Sequence, residues 1–105
     1  MSYLQALGEE IHAVNRANGW EPVRPDDWHD IYIVPAILAL IHSEVSEALE
    51  AFRTGDRENF AEELADVAIR VLDCATGLGI DLDKEIRAKV EKNRRRAYRH
   101  GDKRI

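Results

Sequence analysis

Pro35-Ala36-Ile37-Leu38-Ala39-Leu40-Ile41-His42-Ser43-Glu44-Val45-Ser46-Glu47-Ala48-Leu49-Glu50-Ala51-Phe52-Arg53 is the stretch on which the fold turns. Proline is tolerated in the first turn of a helix but costs about 3 kcal/mol inside one, so a helix is predicted from Pro35 to Arg53, with Ile31-Tyr32-Ile33-Val34 extended before it. The first half of this helix is apolar over a wide arc, through Ile37, Leu38, Leu40 and Ile41 with Ala36 and Ala39 between them. So broad an arc predicts burial on two sides, one inside the chain and one against another copy of it. Helical residues advance by about 100° each, so Glu44 and Glu47 point the same way. Stepping back from Glu44 by three or four residues gives Ile41, Leu40 and then Ile37. Two acids therefore stand within the apolar stripe.

Downstream, Thr54-Gly55-Asp56 supplies a turn with an N-cap, and Phe60, Leu64, Val67, Val71 and Leu78 mark a further helix from Arg57 to Thr76, ended by Gly77 and Gly79. The acid pattern recurs there: Glu63 and Asp66 are again three apart, flanked by Phe60 and Val67 on the inward side. A short turn makes the two helices an antiparallel hairpin, which brings both acid pairs to one level. Unpaired burial of even one ionised carboxylate costs several kcal/mol, so four converging ones need counter-charges, protons or metal. Oxygen-only donors favour Mg²⁺ or Mn²⁺ over zinc. Glu50, Glu58, Glu62 and Asp73 lie off the stripe or beyond its level and read as solvated.

Outward from the hairpin, Leu4, Leu7, Ile11 and Val14 predict a first helix from Ser2 to Asn18, stopped by Gly19. Trp20 to Asp30, with two prolines and no period, reads as a long loop carrying both tryptophans. Asp81 caps a fourth helix through Leu82, Ile86 and Val90 to Arg96, and residues 97–105 are expected to fray as a basic tail. The expected architecture is all-α, a four-helix bundle-type fold in one domain over residues 1–105, oligomeric.

Composition narrows the function classes. In a chain of 105 residues, 45% hydrophobic and 33% charged residues exclude a disordered chain. No apolar run approaches the length of about 20 residues that spans a bilayer, so no membrane partner is expected. Met1-Ser2-Tyr3-Leu4-Gln5 lacks the basic start and apolar run of a signal peptide, which predicts a cytoplasmic setting. The single Cys74 has no partner for a disulfide and no ligand cluster for zinc, leaving core packing. The net charge of −5 argues against a stable nucleic-acid partner, yet it is uneven: residues 1–88 carry 18 Asp/Glu against 7 Lys/Arg, and residues 89–105 carry 2 against 8. The basic end reads either as a solvated helix terminus or as a cationic wall facing a polyanion.

The two acid pairs, Glu44-Val45-Ser46-Glu47 and Glu63-Leu64-Ala65-Asp66 with fifteen residues between them, resemble the ExxE…ExxD signature of the MazG-like nucleotide pyrophosphohydrolases. Pro35–Arg53 is similar to that family's second helix, and Lys89-Val90-Glu91-Lys92-Asn93-Arg94-Arg95-Arg96 is similar to its KxxxNxxR tail element. The resemblance runs from about Leu4 to Gly101. It implies the all-alpha NTP pyrophosphatase fold, homodimers or tetramers, and Mg²⁺-dependent hydrolysis of nucleoside triphosphates between the α and β phosphates. Carried over, Glu44, Glu47, Glu63 and Asp66 are the metal ligands, with Mn²⁺ a substitute for Mg²⁺. Glu47 and Glu44 are then the catalytic candidates, Glu47 as general base.

On the same resemblance, Lys89 and Asn93, four apart on one helix face, approach the triphosphate, with Arg96 continuing that side. Trp20 and Trp28 are candidates for stacking on the base, or for packing the loop onto the core. His12 and Asn15 are candidates for the same pocket, or for a polar helix surface. The small chain suggests a stand-alone house-cleaning enzyme acting on a (d)NTP pool. Two alternatives stay open: a dUTPase-like or phosphoribosyl-ATP pyrophosphatase-like activity on the same fold, and a non-catalytic dimeric helical module whose buried acids pair with arginines from another subunit or partner, the basic tail being one donor.

Overall fold

The computed structural model describes residues 1–105 and is helical, without strands. Helix α1 spans Tyr3–Ala17, α2 Ile33–Arg53, α3 Arg57–Gly77 and α4 Leu82–Arg94. A 3₁₀ turn, Pro25–His29, interrupts the loop between α1 and α2, and a single turn at Arg99–Asp102 follows α4. No helix is long and apolar enough to cross a membrane.

Local chemistry sets the boundaries. Ser2 and Gln5 form a reciprocal capping box at α1, each side chain accepting from the other's backbone N–H at 3.1 and 3.0 Å. Asp56 caps α3 by accepting from Asn59 N–H at 3.0 Å, and Asp81 caps α4 by accepting from Lys84 N–H at 3.1 Å. Gly55, with φ +74°, turns the chain between α2 and α3 in a conformation that a side chain would strain.

Several expected boundaries move. Helix α2 begins at Ile33, so Ile33 and Val34 are helical rather than extended. The reason is Asp30, whose carboxylate accepts from the N–H groups of Tyr32 and Ile33 at 2.8 and 3.1 Å. Pro35 then falls in the first turn, where a missing N–H loses nothing. Ser2 and Asn18 are caps rather than members of α1, and Gly77 is the last residue of α3. Helix α4 stops at Arg94, leaving Arg96 outside it. Past Val90 no apolar side chain ties the helix to the body, and the N–H groups of Arg95 and Arg96 tighten to three-residue bonds with Lys92 and Asn93. Within the tail, Arg99–Asp102 forms a single turn, with left-handed φ at Arg99, His100 and Asp102. The expected long loop contains a 3₁₀ turn, Pro25–His29, that includes Trp28.

Helix α3 is central, packed on α2 and on α1, while α4 leans on α1 and α3. Two glycines permit the closest approaches. A side chain at Gly8 of α1 would collide with Thr76 Oγ1, and one at Gly77 would meet the Val23 carbonyl oxygen at 2.6 Å. The sealed apolar core is small, limited to Ala48, Ala51, Leu72 and Ala75. Helix α2 explains why. Ile37, Ile41, Glu44, Ala48 and Ala51 form its covered face, whereas Leu38, Val45, Leu49 and Phe52 form a second stripe that stays 49–72% exposed.

Candidate metal centre

The α2–α3 hairpin brings the acid pairs level. Carboxylate oxygens of Glu44, Glu63 and Asp66 lie within 4.8 Å of one another, close enough to share one cation. Glu47, one turn on from Glu44, is exposed and stands beside Glu44 and Glu63, bearing on the protonation of both.

The electrostatics of this cluster are uneven. Glu44 Oε1 accepts from Arg70 Nε at 3.0 Å, and the guanidinium holds the Glu44 carboxyl below its ordinary range against the opposing push of burial. Glu63 has no such partner. Burial, then the Glu47, Glu44 and Asp66 carboxylates, push it up to about 7. One oxygen of each, Glu44 Oε2 and Glu63 Oε2, is sealed from solvent with no hydrogen-bond donor. Buried polar atoms are almost always paired, so two orphaned oxygens on adjacent carboxylates mark an incomplete site. Hard oxygen donors, excess negative charge and unsatisfied lone pairs fit a hard divalent cation.

A second constellation sits about two turns beyond Asp66 along α3. His12 Nδ1 of α1 lies 2.7 Å from Asp73 Oδ1, both groups about three-quarters buried. Asp73 is thus paired, not solvated as its place in the sequence suggested. This contact engages Nδ1, and Nε2 makes no hydrogen bond within the chain. His12 lines a groove with Glu9, Ala13, Arg16 and Thr76, and also borders Arg24 and Val23 of the loop. Asn15 is half-buried nearby on α1.

The other candidates are dispersed. Trp20 and Trp28 are 71% and 66% exposed, so neither packs the loop onto the core. Lys89 and Asn93 are exposed on α4, and Arg96, exposed beyond its end, lies 3.3 Å from His100 Nδ1. Burial raises the pKa of the half-buried Cys74 thiol, with Asp73 adding to it, which fits a packing role. Arg70 was absent from the sequence candidates. Its signal was the 63, 66, 70, 73 spacing, which places Glu63, Asp66, Arg70 and Asp73 along one face of α3.

Comparison with known proteins adds to this geometry. Residues 34–100 match the MazG nucleotide pyrophosphohydrolase domain. The match is shorter than the Leu4–Gly101 span of the sequence resemblance: it takes in α2, α3 and α4 with all four acids and Arg70, and leaves out α1 and the tryptophan loop. A dATP/dGTP diphosphohydrolase of Cyanophage S-2L is 38% identical over 65 residues, covering 62% of this chain. The aligned part is 58% of that relative's length. No solved structure matches the chain.

Proposed function

The chain belongs to the MazG nucleotide pyrophosphohydrolase family, and from that membership we propose that it hydrolyses a (deoxy)nucleoside triphosphate to the monophosphate and pyrophosphate, using Mg²⁺ or Mn²⁺. The observation that carries this reading is the meeting of Glu44, Glu63 and Asp66 oxygens within 4.8 Å, two of the carboxylates holding a buried, unpartnered oxygen. Together with Glu47 these residues would hold the cation. Once bound, such an ion neutralises phosphate charge and lowers the pKa of water.

The rest falls to the chain's own groups. Glu47, exposed beside the cluster, would take the proton of the attacking water on a carboxylate oxygen. Water oxygen bonds to the α phosphorus, the bond from that phosphorus to the bridging oxygen breaks, and pyrophosphate leaves with the electron pair. Lys89, Asn93 and Arg96 supply an ammonium, an amide and a guanidinium for the polyphosphate. His12, fixed by Asp73, offers Nε2 to a base edge, with Asn15 beside it and Trp20 and Trp28 as stacking surfaces. The relative's name makes dATP and dGTP the first substrates to try.

A homodimer, or a tetramer of two such dimers, would cover the Leu38, Val45, Leu49 and Phe52 stripe. The setting we propose is the cytoplasm, with a house-cleaning role in a nucleotide pool. Against the interaction-module alternative, the arginine that reaches the cluster comes from the same helix as two of the acids and satisfies one oxygen of Glu44, leaving the orphaned pair. The test is pyrophosphate release over a panel of ribo- and deoxynucleoside triphosphates with Mg²⁺, Mn²⁺ or chelator. Metal-dependent release for some of the panel supports the reading, and silence in a folded, assembled sample refutes it.

A further inference from the structure

Arg70 plays no part in the chemistry above, yet it is the one cation bonded to the acid cluster. It lies on the same face of α3 as Glu63 and Asp66, and its Nε donates across the hairpin to Glu44 Oε1 at 3.0 Å. The Glu44 side chain is 12% exposed and that of Arg70 40%, so the guanidinium reaches inward from the rim to a carboxylate that water scarcely touches. We propose that Arg70 is a resident counter-cation of the carboxylate cluster that competes with the divalent ion for Glu44, and so sets the metal affinity of the site. This rests on the metal-binding reading of the cluster given above.

A guanidinium does not deprotonate in a protein, so its charge remains whenever a metal arrives. Loading then requires Glu44 either to be shared between two cations or to release Arg70. Both weaken metal binding relative to a neutral side chain at residue 70. Without metal the balance reverses, because Arg70 offsets part of the negative charge of the cluster and supplies the hydrogen bond that a nearly buried carboxylate needs. Arg70 therefore steadies the empty hairpin and loosens the filled one. It is a positioning residue, acting through Glu44.

The opposite signs make the idea testable by Mn²⁺ titration of the wild type, Arg70→Gln and Arg70→Lys, with helicity checked by circular dichroism. Arg70→Gln should bind Mn²⁺ about tenfold more tightly, the order expected for removing one positive charge beside a divalent ion at a part-exposed site. It should also melt earlier in chelator. Arg70→Lys, which keeps the charge, should bind like the wild type. Equal or weaker binding by Arg70→Gln overturns the proposal alone, since a merely structural ion pair changes stability and not affinity. Absence of binding by wild type and variant overturns the metal reading as well. Should Arg70→Gln fail to fold, the wild type decides by nuclear magnetic resonance: the Arg70 Nε–H signal should shift along the Mg²⁺ binding curve, and a signal that stays still overturns the competition.

Discussion

Glu63 is where the site's charge is most strained, and its titration has a definite sign. Its carboxyl ionises near 4.5 in an unfolded chain and near 7 in the folded, metal-free protein. Between those values the native state holds more protons than the unfolded one, so stability falls as pH rises through the window. Glu44 acts oppositely, since its lowered pKa adds stability above the unfolded value that is lost on acidification. Melting curves in chelator should therefore show Glu63→Gln losing the decline between pH 4.5 and 7, and superimposable profiles for wild type and variant would contradict this. For activity, Glu47→Gln should lower kcat by about 10²–10⁴-fold as expected for a lost general base, whereas Asp66→Asn should raise the metal concentration needed for half-activation. The convergence of Glu44, Glu63 and Asp66 was legible in the sequence because two acid pairs at one spacing interrupted apolar stripes on neighbouring helices. Arg70 and Asp73 were not, because a charged residue on a charge-rich helix looks solvated until its partner on another helix is known. Glu44 and His12 lie 26 and 61 residues from those partners.

At the level of elements, the hairpin is the device that assembles the cluster, since Glu44 and Glu63 meet only if α2 and α3 keep their register about Gly55. Most of this could be read beforehand from Gly55, the Asp56 cap and the apolar periods of the two helices. The start of α2 could not, because the helix is set by the Asp30 carboxylate gathering two N–H groups, and Pro35 tolerates either start. Close backbone approaches were also invisible. Gly77 read only as a helix stop, whereas it is also the last residue of α3 and lets the Val23 backbone rest on the helix. Gly77→Ala would gain up to about 1 kcal/mol of helix propensity but collide with backbone, and overpacking of that kind costs about 1–3 kcal/mol. Urea unfolding should thus show a net loss of stability. A net gain would mean that the loop yields freely.

For the molecule as a whole, the imbalance lies between its apolar content and its own small core. Six of 105 residues are buried, while Leu38, Val45, Leu49 and Phe52 line one exposed side of α2. A contiguous apolar stripe of this kind is expected to be covered by a partner surface, and a second copy presents the matching stripe by symmetry. Sedimentation should accordingly find a dimer or tetramer, and Leu49→Glu should shift it toward monomer, whereas an unchanged monomeric mass in both proteins would contradict the assembly. The wide apolar arc of α2 made an exposed apolar side of that helix legible, but the exposed positions of the tryptophans and the basic tail were not, because no apolar period ties those segments to the body. The most direct measurement is phosphorus-31 nuclear magnetic resonance of the products formed from dATP or dGTP with Mg²⁺ and with chelator. We expect monophosphate and pyrophosphate in Mg²⁺ and unreacted triphosphate in chelator. Diphosphate with inorganic phosphate, or equal turnover in the two conditions, would contradict a carboxylate-held cation acting at the α phosphorus.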